Sequence, residues 1–230
     1  MKILVTGGAG FIASNFVRRL LKASDDEITI LDSLTYAGDR RTLSDLMENS
    51  RVSFVQGDVS DRETVNRVVK GHKEIVHFAA ESHVDRSIQN PDQFVLTNCL
   101  GTNVMCDVAR AHDIEKFVHV STDETYGSIE TGSFGELDLL NPSSPYAASK
   151  AASDLIALSY RTTFDLPVIV TRSSNNYGPF QHPEKLIPLF ITNLLDGLSV
   201  PLYGTGQNIR DWIYVEDNCN AIETVLRSGN

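Results

Sequence analysis

The stretch ILVTGGAGFIASNFVRRLL, residues 3–21, decides the fold. It reads as a short buried strand, a glycine turn and an amphipathic helix, with Gly7, Gly10 and Ala13 at GxxGxxA spacing. Glycine lets a backbone turn sharply and approach a pyrophosphate, and the following helix N-terminus offers free N–H groups and the positive end of its dipole. A second apolar run, EITIL, ends at Asp32, about 20 residues beyond the turn, where a carboxylate can accept hydrogen bonds from an adenosine ribose and repel the extra phosphate of NADP. Arg40 and Arg41 are the nearby features that pull the other way, and they are read as opening an exposed helix. NAD is the expected dinucleotide. GDV, at 57–59, follows the third run and puts Asp58 within reach of an adenine amine.

From this first unit the same rhythm continues. KILVT, EITIL, VSFVQ, EIVHF, KFVHV and PVIVT alternate with helix-like segments, which predicts a Rossmann-type, doubly wound parallel α/β sheet with helices on both faces. His77 and His119 fall inside two of these strands and are read as hydrogen-bonded core residues; their spacing suits no metal site. After Thr171 the rhythm weakens. SSNNYGPFQHPEKLIP is polar and rich in Pro and Gly, VPLYGTG and DWIYV read as short strands outside the main sheet, and a helix is expected from about Val215. The expected division is a dinucleotide-binding domain over 1–172 and, over 173–230, the start of a smaller substrate-binding region interleaved with it and incomplete at Asn230.

Composition excludes several other classes. A net charge of −10 disfavours nonspecific nucleic-acid binding, which needs many Lys and Arg contacts to phosphates. No run approaches the roughly 18 apolar residues of a membrane span, and the N-terminus reaches glycines too early for a signal peptide, so a cytoplasmic protein without membrane contact is expected. Three cysteines without CxxC spacing argue against a disulfide framework or structural zinc and read as buried free thiols.

Two further motifs carry chemistry. SPYAASKAASDLIAL opens with a serine and a proline, a helix start, and puts Tyr146 and Lys150 four apart on one helix face. An ammonium beside a phenol, together with a positive nicotinamide ring, is expected to lower the tyrosine pKa and make Tyr146 a base. STDETYG, residues 121–127, sets Asp123 next to Glu124, so that ionising both is costly. Taken alone, the heptapeptide also fits a solvated turn.

TGGAGFI, FAAESHVDRSI, STDETYG, SPYAASKAASD, SSNNYGP, PEKLIP and RDWIYVED, in this order, resemble the extended short-chain dehydrogenase/reductases, and within them the nucleotide-sugar 4,6-dehydratases. The resemblance covers essentially the whole chain, and its most specific element is the Asp-Glu pair after Thr122. It implies NAD-dependent dehydration of dTDP-glucose by C4 oxidation, loss of water across C5 and C6, and hydride return to C6. The catalytic set it implies is Thr122, Asp123, Glu124, Tyr146 and Lys150. Gly7, Gly10, Phe11, Ile12, Asp32, Ser33, Leu34, Thr35, Asp58, Val59, Phe78, Ala79, Ala80, Glu81, Ser82, Thr97 and Asn176 would join Tyr146 and Lys150 around the cofactor. Ser82, Thr122, Asn175, Lys185, Leu186, Pro201, Leu202, Tyr203 and Arg210 would hold the sugar nucleotide, with Lys185 and Arg210 as diphosphate partners. A homodimer is implied as well. The chain departs from the family pattern at Ala13, at Thr125, whose hydroxyl is expected near the acid–base pair, and in stopping at Asn230. Another nucleotide-sugar dehydratase, a 4-epimerase or a catalytically silent NAD-binding fragment are the rival readings.

Overall fold

The computed structural model describes residues 1–202 and 204–229. Six parallel strands, β1 (Lys2–Thr6), β2 (Glu27–Asp32), β3 (Val52–Gln56), β4 (Glu74–His77), β5 (Lys116–Thr122) and β6 (Val168–Ser173), form one sheet in the order β3-β2-β1-β4-β5-β6. The chain reverses direction across the sheet between β1 and β4, which pair from Ile3 with Glu74 to Thr6 with His77. In such sheets the ligand crevice lies beyond the carboxyl ends of the strands at that switch.

Period-two alternation sorts the strand side chains between two cores. Ile3 and Val5 of β1 pack with α1 (Phe11–Ala23) and α8 (Val215–Ser228) on one face, while Leu4 packs on the other with α2 (Arg62–Val69), α5 (Gly101–Ala111) and α6 (Pro145–Phe164). Ala13 is buried in the first core, where its methyl is absorbed. The helix expected from Val215 is α8, which returns from the polar C-terminal stretch to lie against α1. Two short helices, α3 (Val84–Gln89) and α4 (Pro91–Phe94), lead through a π-helical segment, Val95–Leu100, into α5.

A second sheet pairs β7 (Asn175–Tyr177) with β8 (Trp212–Tyr214) in parallel, and α7 (Leu186–Leu195) lies between them in sequence. The strand expected in VPLYGTG does not form among its described residues. Pro201 has no N–H to give a ladder, and Gly204 and Gly206 turn the backbone at φ +58° and +71°. The segment that pairs with β8 is instead NNY, too short and polar to read as a strand.

His77 and His119 are core residues, as the sequence indicated. His77 shares hydrogen bonds with Thr6 (2.7 Å) and Thr102 (3.2 Å), and His119 with Ser153 (3.0 Å). Burial first, then the Lys150 ammonium, push the His119 pKa down to about 4 against an opposing pull from Asp154. Its folded pKa thus lies below the unfolded value of about 6.5. As pH falls from 6.5 towards 4, the unfolded chain takes up a proton that the folded chain refuses, so stability is lost across that window. We expect the stability difference between the parent and His119→Gln to shrink there, by at most about 1.4 kcal/mol per pH unit. Urea denaturation at stepped pH measures it, and a constant difference would show that His119 does not titrate in this way.

Candidate active site

The ends of β1, β2, β4, β5 and β6 open into one cleft of about 460 Å³. At its dinucleotide end, Gly7 has φ +70°, and a Cβ there would sit 2.8 Å from the backbone N and Cα of Ala79. Only glycine fits that approach. Gly10 caps α1 without a side-chain bond, and the first helical turn carries no acidic residue, so its N–H groups stay free for an anion. Asp32 joins the turn to β2: one carboxylate oxygen accepts from Ala9 N (2.9 Å) and the other from Leu34 N (2.7 Å). Burial raises its pKa and these two donors oppose the rise. Arg40 and Arg41 open a short 3-10 helix, Arg40–Leu43, whose cap and ion-pair partner for Arg41 is Asp39; neither arginine lines the cleft.

At the other end, β5 runs into the 3-10 turn Asp123–Tyr126, and α6 begins at Pro145 with the Ser144 hydroxyl accepting from Ala147 N (3.1 Å). Lys150 is buried and donates to the Val120 carbonyl at 2.9 Å. Thr122 donates to Asp123 (3.3 Å) and accepts from Glu124 N (3.2 Å), and its hydroxyl is near enough to the Tyr146 phenol to ease the phenol's ionisation. Tyr146, Lys150, Thr122 and Glu124 all line the cleft; Asp123 is not among the lining residues and, partly exposed, sits next to them in the same turn.

The charges differ from the expected pattern in one respect. The Tyr146 phenol is pushed up, not down: burial dominates, the Glu124 carboxylate adds to it, and the Thr122 hydrogen bond opposes. Lys150 points at the Val120 carbonyl, and burial pushes its own pKa down to about 8 against support from Asp154 and Cys99. Both carboxyls rise through burial. Glu124 is raised further by Asp123 and lowered by Lys185 and Arg210, whereas Asp123 is eased by the Thr122 bond and raised by Asp211.

Of the other residues singled out by sequence, Phe11, Ile12, Ser33, Thr35, Asp58, Val59, Phe78, Ala79, Ala80, Glu81, Ser82, Thr97, Asn175, Asn176, Lys185, Leu186 and Arg210 all line the cleft. Lys185 reaches across to the Ser82 carbonyl (3.3 Å). Leu34 does not line it; held at φ +57°, it packs on the core. Pro201 and Leu202 are exposed and off the cleft, and Tyr203 lies outside the described residues. The Thr125 hydroxyl is likewise not beside the acid–base pair: fully buried, it donates to the Thr122 carbonyl at 2.9 Å.

Several cleft residues escaped the sequence reading, among them Ser121, Ser173, Gln181, His182 and Trp212. So did Asn98, buried in the π-helical segment. It accepts from Glu81 N (2.8 Å) and donates to the Glu81 carbonyl (3.1 Å) and the Ser149 hydroxyl (2.8 Å), joining the loop after β4 to α6. A polar residue on the buried face of an amphipathic helix was its one available signal.

A sequence profile of the family described as GDP-mannose 4,6 dehydratase matches residues 4–230. The dTDP-glucose 4,6-dehydratase of Streptomyces niveus is 52% identical over 234 residues, covering all of this chain and 70% of that protein. The low-salt glycan biosynthesis protein Agl12 of Haloferax volcanii is 54% identical, over 100% of this chain and 74% of its own length. Among solved structures, DesIV, the dTDP-glucose 4,6-dehydratase of Streptomyces venezuelae, with NAD and TYD bound, superposes with a TM-score of 0.98 at 53% identity, covering 100% of this chain and 73% of that one.

The glycine turn generates a direct test. Gly7→Ala forces a side chain into φ +70° and against the Ala79 backbone, a conflict that costs about 1–3 kcal/mol. We expect at least tenfold weaker dinucleotide binding by titration calorimetry, and parental affinity would show that the turn does not contact the ligand.

Proposed function

The chain belongs to the GDP-mannose 4,6-dehydratase family, and from that footing we propose that it is an NAD-dependent lyase that dehydrates dTDP-glucose to dTDP-4-keto-6-deoxyglucose. The observation that carries this reading is the adjacent pair Asp123 and Glu124, held in one turn beside Tyr146 and Lys150. An epimerase needs the tyrosine and lysine; a dehydratase also needs an acid and a base for the elimination.

The residues fit a dinucleotide. The Gly7 cradle, the uncapped start of α1 and the Asp32 carboxylate would hold the pyrophosphate and adenosine ribose, with Asn176 among the residues around the cofactor. When bound, NAD supplies the acceptor for the C4 hydrogen and later the donor to C6. Burial keeps the Tyr146 phenol protonated, so its role as base depends on the positive charges of a bound nicotinamide ring and of Lys150; with these in place Tyr146 would take the proton from the C4 hydroxyl while Thr122 holds the C4 oxygen. The resulting ketone acidifies the C5 proton, which Glu124 removes. Asp123 protonates the departing C6 hydroxyl, which leaves as water, and Glu124 returns its proton to C5. Lys185 and Arg210 pair with the diphosphate.

Residues 1–172 serve as the dinucleotide-binding part and 173–230 belong to an interleaved sugar-nucleotide region. We assign the working protein as a cytoplasmic homodimer. Supporting the first is the set of three free thiols, which suits a reducing compartment; supporting the second are Val95, Leu96, Leu100 and Leu155, apolar and exposed on two helical segments that pack together. Among the described residues no helix is long and apolar enough to cross a membrane.

The test is incubation with dTDP-glucose, following the 4-keto-6-deoxy product by its absorbance in alkali. Glu124→Gln keeps shape but accepts no proton, so C4 oxidation continues while elimination falls about 10²-fold or more. Reduced-nicotinamide absorbance should build up with little product, and substrate deuterated at C4 should deliver little label to C6. Label transfer at the parental rate would reduce the pair to a solvated turn.

A further inference from the structure

One helical turn beyond Lys150, on the same face of α6, lies Asp154, a fully buried carboxylate that no step above uses. One of its oxygens accepts from Arg172 Nε at 2.7 Å. Arg172 sits in β6, opposite Ser121 of β5, and its Nη1 donates to the Tyr126 hydroxyl, also at 2.7 Å. Tyr126 closes the 3-10 turn that begins at Asp123, and its ring stacks on Phe134 with centroids 5.1 Å apart and planes within 13°. A continuous line of hydrogen bonds, partly buried along its length, thus runs from the helix bearing Tyr146 and Lys150 to the turn bearing Asp123 and Glu124. The second oxygen of Asp154 lies 3.3 Å from the His119 ring, which is neutral at pH 7.

We propose that Asp154 is a positioning residue for the dehydration: through Arg172 and Tyr126 it fixes the acid–base turn against the tyrosine–lysine helix, and it supports the charge on Lys150. The proposal rests on the dehydratase reading. A buried ion pair is weak evidence of stability for its own sake, because desolvating both charges offsets their attraction and an apolar replacement is often as stable. What Asp154 and Arg172 do that an apolar pair could not is aim a hydrogen bond at Tyr126 and place a negative charge beside Lys150.

The charged and titratable groups around Lys150 make the second role testable. Asp154 on α6 and Cys99 on the π-helical segment raise its pKa, while burial lowers it; the imidazoles of His77 and His119, on β4 and β5, are neutral. Asp154 is the first of the two supports against burial. Lys150 acts charged, so the rate of C4 oxidation falls as pH rises through its pKa, and removing Asp154 moves that fall to lower pH.

Two variants of the full chain test this. Tyr126→Phe keeps the stack on Phe134 and loses the hydroxyl that Arg172 grips, together with its long bond to the Glu136 carbonyl (3.4 Å). Stopped-flow absorbance should show C4 oxidation within about twofold of the parent and elimination about tenfold slower, the scale of a lost hydrogen bond to a charged group, with KM unchanged. Asp154→Asn keeps shape and loses charge, and the alkaline fall in its oxidation rate should begin at least one pH unit earlier. Thermal unfolding is followed in parallel. If the parent yields product but both variants keep its pH profile and its ratio of oxidation to elimination, losing only thermal stability, Asp154 is purely structural and the proposal falls. If Asp154→Asn does not fold, Tyr126→Phe decides by the ratio of steps alone. A parent that makes no 4-keto-6-deoxy product would overturn the dehydratase reading itself.

Discussion

The bond from the Lys150 ammonium to the Val120 carbonyl is the constraint on which the site depends. An ammonium only 3% exposed cannot be left unpaired at tolerable cost, so α6 must present Lys150 to that carbonyl and to no other. Val120 lies two residues before the end of β5, and Tyr146 one helical turn before Lys150. Sliding or rotating the helix would break the bond, so the same contact that satisfies a buried charge also sets Tyr146 into the cleft that Thr122 lines. The Ser144 cap and Pro145 fix where the helix starts, and Asn98 ties its Ser149 to the loop after β4. Site geometry is a by-product of satisfying buried polar groups.

The opposite end obeys the same rule with a carboxylate. Asp32, itself buried, accepts two backbone N–H groups, one from the glycine turn and one from the loop after β2. These bonds hold the turn in the shape that Gly7 permits. A residue read from sequence as a ribose acceptor is therefore also the brace of the glycine turn, and the two roles are compatible because each carboxylate oxygen has a second lone pair.

What the sequence made legible follows from how local each signal is. The inner strands β1, β4 and β5 were readable because a parallel strand buried on both faces is a continuous apolar run, the edge strands β3 and β6 because they are short and β-branched, and Tyr146 with Lys150 because helical spacing is fixed. β7 was not, since three polar residues form a strand only when a distant segment, β8, offers a ladder. Asn98, Ser121 and Asn218 were invisible for a related reason. Asn218 lies on α8, yet its amide donates to the Asn176 side chain at 2.9 Å, across 42 residues of sequence. Thr125 misled because adjacency along the chain was taken for adjacency in space, whereas a 3-10 turn sends the next side chain inward.

The pair that opened the functional question is divided by its surroundings. Adjacent carboxyls of ordinary pKa have no intrinsic reason to take opposite roles, and here burial raises both. Their neighbours differ. After burial, Glu124 is raised by Asp123 and eased by two cations, Lys185 and Arg210, whereas Asp123 is eased by the Thr122 hydroxyl and by backbone N–H groups and raised last by Asp211. Asp123 is further tied to the Thr122 hydroxyl, and Glu124, though its backbone N–H bonds the same oxygen, leaves its carboxylate free towards the cleft. Two carboxyls one residue apart thus meet different surroundings, Glu124 on the cleft wall beside two cations and Asp123 bonded to the Thr122 hydroxyl, and unlike environments of this kind are what can divide a pair of carboxyls into an acid and a base.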